Sequence, residues 1–277
     1  MADEPRSREA RAAAEAALVR VVHHYGSTPE FVLLGGLVPE LLCAKSAFRH
    51  AGTTDVDVQV DLEIACGGAN AGRLEQALRN AEFEPDGADV WRWSTNIGGT
   101  RTVIKFELLA DVDTAPAEAT VQFDETASLG ALNLRGTGFA TRDYAPQQIS
   151  ARVGGHAQTA EINIAGLAGF LLAKAAAAYS RRKTKDWYDL AYVLLHNDVG
   201  GPAAAATAVR VKFGNDLVGL IRSALDDLAA NFLTVTAQGP SAYASQILVD
   251  HPELDEATVR ADAVLAVEQF HAELFGF

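Results

Sequence analysis

Ala10, Ala13, Ala14, Ala17, Leu18, Val21, Val22 and Tyr25 recur at helical spacing and stop before Gly26, which predicts an amphipathic helix with a glycine end. A short apolar run, Phe31–Leu34, meets Gly35 and Gly36, and Leu37–Lys45 then reads as helix. Thr54–Asp61 alternates polar and apolar residues with the period of a strand. Leu74, Ala77, Leu78 and Ala81 form one face of a further helix. Strand-like runs follow at Val90–Trp93, Thr102–Leu109 and Ala131–Arg135, between loops rich in Asp, Gly, Thr and Pro. After about residue 160 the pattern turns helical, over Ala165–Tyr179, Asp186–His196, Asn215–Ala230 and Asp255–Leu274, and no strand is predicted beyond Ile164. The chain therefore reads as α+β: a mixed sheet with flanking helices over 1–155, then a C-terminal helical bundle over 156–277.

Composition narrows the class. With 277 residues, 49% apolar and 21% charged, the chain is neither disordered nor fibrous and is long enough for a large core. Two cysteines, Cys43 and Cys66, exclude a disulfide framework and a cysteine-rich zinc site. The apolar run Ala165–Ala173 ends at Lys174, far short of the ~20 residues of a membrane helix. The N-terminus mixes acid and base without an apolar core, so no membrane partner and a cytoplasmic location are expected.

The net charge of −13 disfavours general nucleic-acid binding, but its distribution is uneven. Residues 1–150 carry 13 basic and 22 acidic side chains, 151–212 carry 8 and 4, and 213–277 carry 2 and 10. The middle segment, at +4, is where a polyanion is acceptable.

Asp55 and Asp57 sit two apart on the alternating strand, so both carboxylates leave one face. Such a pair suits Mg²⁺, which takes hard oxygen ligands and shares them with substrate phosphates. The same alternation also describes a half-buried strand with its aspartates in water. Upstream, Gly35 and Gly36 follow a strand and precede a helix, a place where backbone N–H groups can approach phosphate, or simply a turn. On the later strand Lys105 and Glu107 share a face opposite Ile104, Phe106 and Leu108, and Glu107 is the expected third carboxylate of a two-metal site; a salt-bridged sheet surface is the other reading. Asp111 and Asp113 fall in a loop.

The stretch from Lys174 to Asp189 is the most distinctive. On one continuous helix Lys174, Arg181 and Lys185 would form a single stripe, and no acid appears before Asp186. The seven histidines show no metal-ligand spacing and read as surface or structural, and Tyr188 reads as core. Trp91 and Trp93 alternate around Arg92 and fit a sheet face packed under a helix. Neither a P-loop nor a Gly-x-Ser-x-Gly elbow is present.

Taken in order, strand–Gly-Gly–helix, Asp-x-Asp on a strand, a further strand carboxylate, then Lys…Arg…Lys-Asp-x-x-Asp, these residues resemble the AbiEii-type nucleotidyltransferases over roughly residues 30 to 195. That family includes the MenT toxins of toxin–antitoxin pairs and belongs to the DNA polymerase β-like superfamily. The resemblance implies a nucleotidyltransferase-like core and a helical domain with an NTP and Mg²⁺ between them, a tRNA 3′ end as acceptor, and an antitoxin protein as partner. It matches Gly35 and Gly36 to the phosphate-contacting glycines and Asp55 and Asp57 to the metal pair. Lys174 matches the lysine that meets the triphosphate, and Lys185 with Asp186 the late Lys-Asp element. Arg182 joins Lys174 and Lys185 in neutralising the triphosphate. Arg49 is the nearest arginine upstream of the aspartates, and Leu37 stands where Ser or Thr is common. Transfer to a small molecule of antibiotic type or to a protein, and a degenerate NTP-binding member without turnover, are the alternatives.

Overall fold

The computed structural model describes residues 7–60, 69–87, 89–96, 103–123 and 126–276. Asp61, Cys66 and Thr102, named above, lie outside them. The chain divides into two compact units, the first formed by 1–38 and 52–165 and the second by 39–51 and 166–277. The division thus falls ten residues later than the expected 155/156, because the strand that ends the first unit is paired along its whole length, as described next.

The first unit is built on a nine-stranded mixed sheet. Its elements are α1 (Arg8–Tyr25), β1 (Val32–Leu34), a 3₁₀ turn (Gly35–Leu37) that leads into α2 (Val38–Leu42), a short helix counted from Pro39 onward with the second unit, then β2 (Asp55–Gln59), α3 (Ala69–Asn80), β3 (Glu84–Asp86), β4 (Asp89–Asn96), β5 (Val103–Ala110), β6 (Thr120–Gln122), β7 (Gly130–Asn133), β8 (Tyr144–Val153) and β9 (His156–Ala165). The strand order is β3-β4-β5-β2-β1-β9-β8, and β7 pairs with both β5 and β6. Helix α1 begins at Ser7, whose hydroxyl accepts from the Ala10 N–H at 3.1 Å, and ends at Gly26 in the left-handed conformation. It packs on β8, β9 and α3.

The central strands carry the apolar half of the alternation inward. Val56, Val58, Ile104, Phe106, Leu108 and Trp93 are buried, and Phe106 meets Phe31 and Phe83 edge-on at 5.8 and 6.0 Å. The opposite face departs from a water-washed surface, since Asp57 and Gln59 are buried as well. The β8–β9 hairpin was not predicted. Its strands carry too few apolar residues for a clear period, yet Gly154 and Gly155, both at positive φ, make the two-residue turn that twists as the strands do.

The second unit is helical: α4 (Leu167–Arg181), α5 (Thr184–His196), α6 (Pro202–Phe213), α7 (Gly219–Asn231), α8 (Gln238–Asp250) and α9 (Glu256–Phe275). Helices α4 and α5 pack on each other, with α6 and α7 against α4 and α8 and α9 against α5. Helices α6 and α8 escaped the periodic reading. The first is an alanine run with little contrast between its faces, and the second carries Pro240 in its first turn, where a missing N–H does no harm. Among the described residues no helix is long and apolar enough to cross a membrane.

An acid-sensitive contact lies within this unit. The His196 ring bonds the Tyr243 hydroxyl at 2.9 Å, and burial, then the neighbouring His251, push its pKa down to about 4. An unfolded histidine takes a proton near pH 6.5, whereas this one stays neutral until about 4, so stability falls with pH across that interval. The loss should reach up to about 3 kcal/mol. The urea midpoint at pH 4.5 against pH 7 measures it, and a slope unchanged in His196→Gln would remove the assignment.

Candidate active site

Three neighbouring strands set the polar residues of the first unit in two rows. The parallel register of β2 and β5 places Asp55 beside Lys105 and Asp57 beside Glu107, and the antiparallel register of β5 and β4 adds Ser94 and Arg92. Side chains at matched positions leave the same face, so Asp55, Asp57, Lys105, Glu107, Ser94 and Arg92 share one surface. Arg92 Nε donates to Glu107 Oε1 at 2.8 Å. The expected third carboxylate therefore stands directly beside Asp57, with a guanidinium on it.

Asp57 is 7% exposed, and among the described residues its carboxylate makes no hydrogen bond or ion pair. Burying an unmet carboxylate is costly, so this position calls for a cation or water. The glycine turn explains how it is buried. Gly35 has φ +77°, and a Cβ there would lie 1.8 Å from Asp57 Oδ2; a Cβ on Gly36 would lie 2.7 Å from that of Thr53. Both glycines are thus needed for the turn to press on the aspartate strand. Arg11 ties the turn to α1 by donating to the Leu37 carbonyl at 3.0 Å, and the Thr53 hydroxyl accepts from the Asp55 N–H at 3.0 Å. Leu37–Lys45 is not one helix as expected: the glycines enter a 3₁₀ turn followed by the five residues of α2, because Pro39 and the close approach to β2 constrain the chain there.

Among the described residues no three His, Cys, Asp or Glu side chains form a cation cage. The Asp55–Asp57 pair nevertheless has the chemistry Mg²⁺ takes, since that ion usually keeps waters and one or two carboxylates and completes its shell with phosphate oxygens. Asp111 and Asp113 belong to the loop, as expected, and are occupied there. Asp111 accepts from the Gly136 and Gly138 amides at 2.9 and 3.2 Å, and Asp113 takes Arg135 at 2.8 Å. Burial pushes the Asp111 pKa up despite the two amides.

In the second unit the distinctive segment makes a closed charge cluster. Lys174 Nζ lies 3.1 Å from Asp186 Oδ1 and 2.8 Å from Asp189 Oδ2, Arg181 grips both oxygens of Asp186 at 2.8 Å, and His50 Nε2 lies 2.9 Å from Asp189 Oδ1. Lys174, Asp186, Asp189 and His50 are all buried. Burial alone would raise the Asp186 pKa, but the Lys174 and Arg181 charges outweigh it and hold the carboxyl well below the usual range. The continuous stripe does not form. The chain turns at Arg182, in the left-handed conformation at φ 49°, which lets Arg181 reach forward to Asp186 and puts Lys185 on the first turn of α5. Arg182 itself pairs with Asp227 at 2.9 Å, Arg49 with Glu40 at 3.3 Å, and Lys185 is half-buried.

The structure thus gathers Gly35, Gly36, Asp55, Asp57 and Glu107 in one unit, and Lys174 with Asp186 in the other. Asp189 was legible from its i,i+3 spacing to Asp186. His50 and Arg92 carried no sequence signal of their own, because their partners lie far away in the chain. Tyr188 is core, as expected, its hydroxyl accepting from the Ala51 N–H at 3.0 Å.

No family model and no curated protein matches the chain. Among solved structures it is similar to an antigenic nucleotidyltransferase-like protein from Paracoccidioides brasiliensis, at 18% identity and a TM-score of 0.41, over 79% of this chain and 95% of that one. A likeness of that degree assigns this chain neither a family nor an activity.

Proposed function

We propose that this chain is a Mg²⁺-dependent nucleotidyltransferase that moves an NMP group from an NTP to a hydroxyl acceptor, a tRNA 3′ end, as the toxin of a toxin–antitoxin pair restrained by an antitoxin protein. The observation that carries the reading is the buried Asp57 carboxylate, unmet among the described residues, on the same face as Asp55 and Glu107 and under the Gly35 turn. Asp55 and Asp57 hold Mg²⁺, which supplies charge neutralisation at the reacting phosphate when bound. The acceptor hydroxyl oxygen bonds the α-phosphorus, the bond to the β-phosphate oxygen breaks, pyrophosphate leaves, and Glu107 takes the hydroxyl proton. The backbone at Gly35 and Gly36 lines the phosphate side.

Transfer to a cationic small molecule is the second reading, and one observation favours it. Lys174, Arg181 and Arg182, three of the eight basic residues of the middle segment, are tied to carboxylates and offer little to a polyanion.

Incubation with Mg²⁺, each α-labelled NTP in turn, and either total tRNA or a polycationic aminoglycoside tests both. Label on tRNA that disappears in Asp57→Asn, with at least a hundredfold loss of rate, is the expected result. Label on the aminoglycoside alone selects the second reading. Label on neither, with NTP bound, leaves a binding protein without turnover.

A further inference from the structure

Every arginine and lysine that the sequence offered for the triphosphate and whose partners are described above is met by a carboxylate. Lys174 lies between Asp186 and Asp189, Arg182 is on Asp227, and Arg49 is on Glu40. On the carboxylate face itself Arg92 is held by Glu107. Lys105 differs. It stands beside Asp55 in register and one position along the same face from Glu107, it is half-buried, and among the described residues its ammonium makes no hydrogen bond or ion pair.

An ammonium held among carboxylates without closing an ion pair keeps its charge available. A divalent cation on Asp55 and Asp57 leaves a nucleoside triphosphate strongly anionic, and a fixed protein cation beside the metal pair is the usual complement. Lysine serves such a position as a mobile point charge, reaching oxygen on a flexible stem without the fork geometry of arginine. We infer that Lys105 binds the phosphate chain of the nucleoside triphosphate, next to the cation held by Asp55 and Asp57. This rests on the transferase reading above and adds the residue that recognises the phosphates.

The competing role is charge balance, in which Lys105 only relieves repulsion between the three carboxylates. The two roles differ in sign. Removing a cation beside a carboxylate pair strengthens divalent-ion binding in either case. Only a phosphate contact makes the triphosphate bind more weakly at the same time.

The test compares the full-length chain with Lys105→Met and Lys105→Arg. Mn²⁺ alone, Mg²⁺ with inorganic tripolyphosphate, and Mg²⁺ with each α,β-methylene NTP are titrated by calorimetry, and thermal unfolding is followed in parallel. Lys105→Met should bind Mn²⁺ as well as or better than wild type, and tripolyphosphate and the analogues about tenfold or more weakly, as befits a lost charge-assisted hydrogen bond. Lys105→Arg should stay within about threefold of wild type, since it keeps the charge. Equal or tighter tripolyphosphate binding by a folded Lys105→Met overturns the inference and leaves the transferase reading standing. No binding of any triphosphate by wild type removes both. Should Lys105→Met fail to fold, Lys105→Gln serves in its place, and a loss of tripolyphosphate affinity in neither variant counts against the assignment.

Discussion

Lys174→Met is expected to destabilise the helical unit by about 3–5 kcal/mol, the cost of removing one partner from a buried ion cluster. Met keeps the length and bulk of the side chain, so packing survives and the loss is electrostatic. In the wild type two cations, Lys174 and Arg181, face two anions, Asp186 and Asp189, with His50 on the second. Without the lysine, Asp189 loses its cationic partner while keeping the His50 ring, and Asp186 keeps Arg181. Adding Asp189→Asn should recover much of the loss, because the carboxylate that faced the lysine leaves with it. The pH response follows in sign. A depressed carboxyl such as Asp186 contributes stability that is present above about pH 4, its unfolded value, and is lost as pH falls through the folded one. Lys174→Met should therefore move the acid transition to higher pH. Urea unfolding at several pH values measures both effects. A variant that unfolds like wild type but no longer binds triphosphate would instead place Lys174 on the substrate, the role the resemblance gave it.

Gly35→Ala is the second large expectation. The added methyl would lie 1.8 Å from Asp57 Oδ2, and φ +77° is a conformation alanine resists. Together these should cost about 2–4 kcal/mol and push the aspartate carboxylate out of place. Divalent-ion binding should fall with it. Asp57→Asn gives the contrast: it keeps the shape, removes a buried charge, and should be as stable as wild type or more so while losing the ion. Thermal unfolding with and without Mn²⁺ separates the two. If Gly35→Ala shows a wild-type melting temperature and undiminished stabilisation by Mn²⁺, the glycine turn does not shape the site.

The candidate site was legible where it depended on local period. The alternation in Asp55–Gln59 and Val103–Leu108 announced which residues share a face, and the registers of β2, β5 and β4 then joined those faces. Six helices and their order, α1, α3, α4, α5, α7 and α9, were readable because their apolar stripes recur every three to four positions. The unpredicted elements lacked that contrast: α6 is alanine on most sides, and β8 and β9 are largely exposed.

What the sequence determined by itself is therefore the class of the chain, α+β followed by helices, and the pairing of Asp55 with Asp57 on one face, since both follow from spacing along the backbone. Which charges are left to act was decided by tertiary structure alone. Asp186 neutralises Lys174 and Arg181, Asp189 takes His50 from 139 residues away, Glu107 takes Arg92, and the Gly35 turn closes on Asp57. Ion pairing depends on distance in space, and folding sets that distance between residues whose separation in sequence says nothing of it.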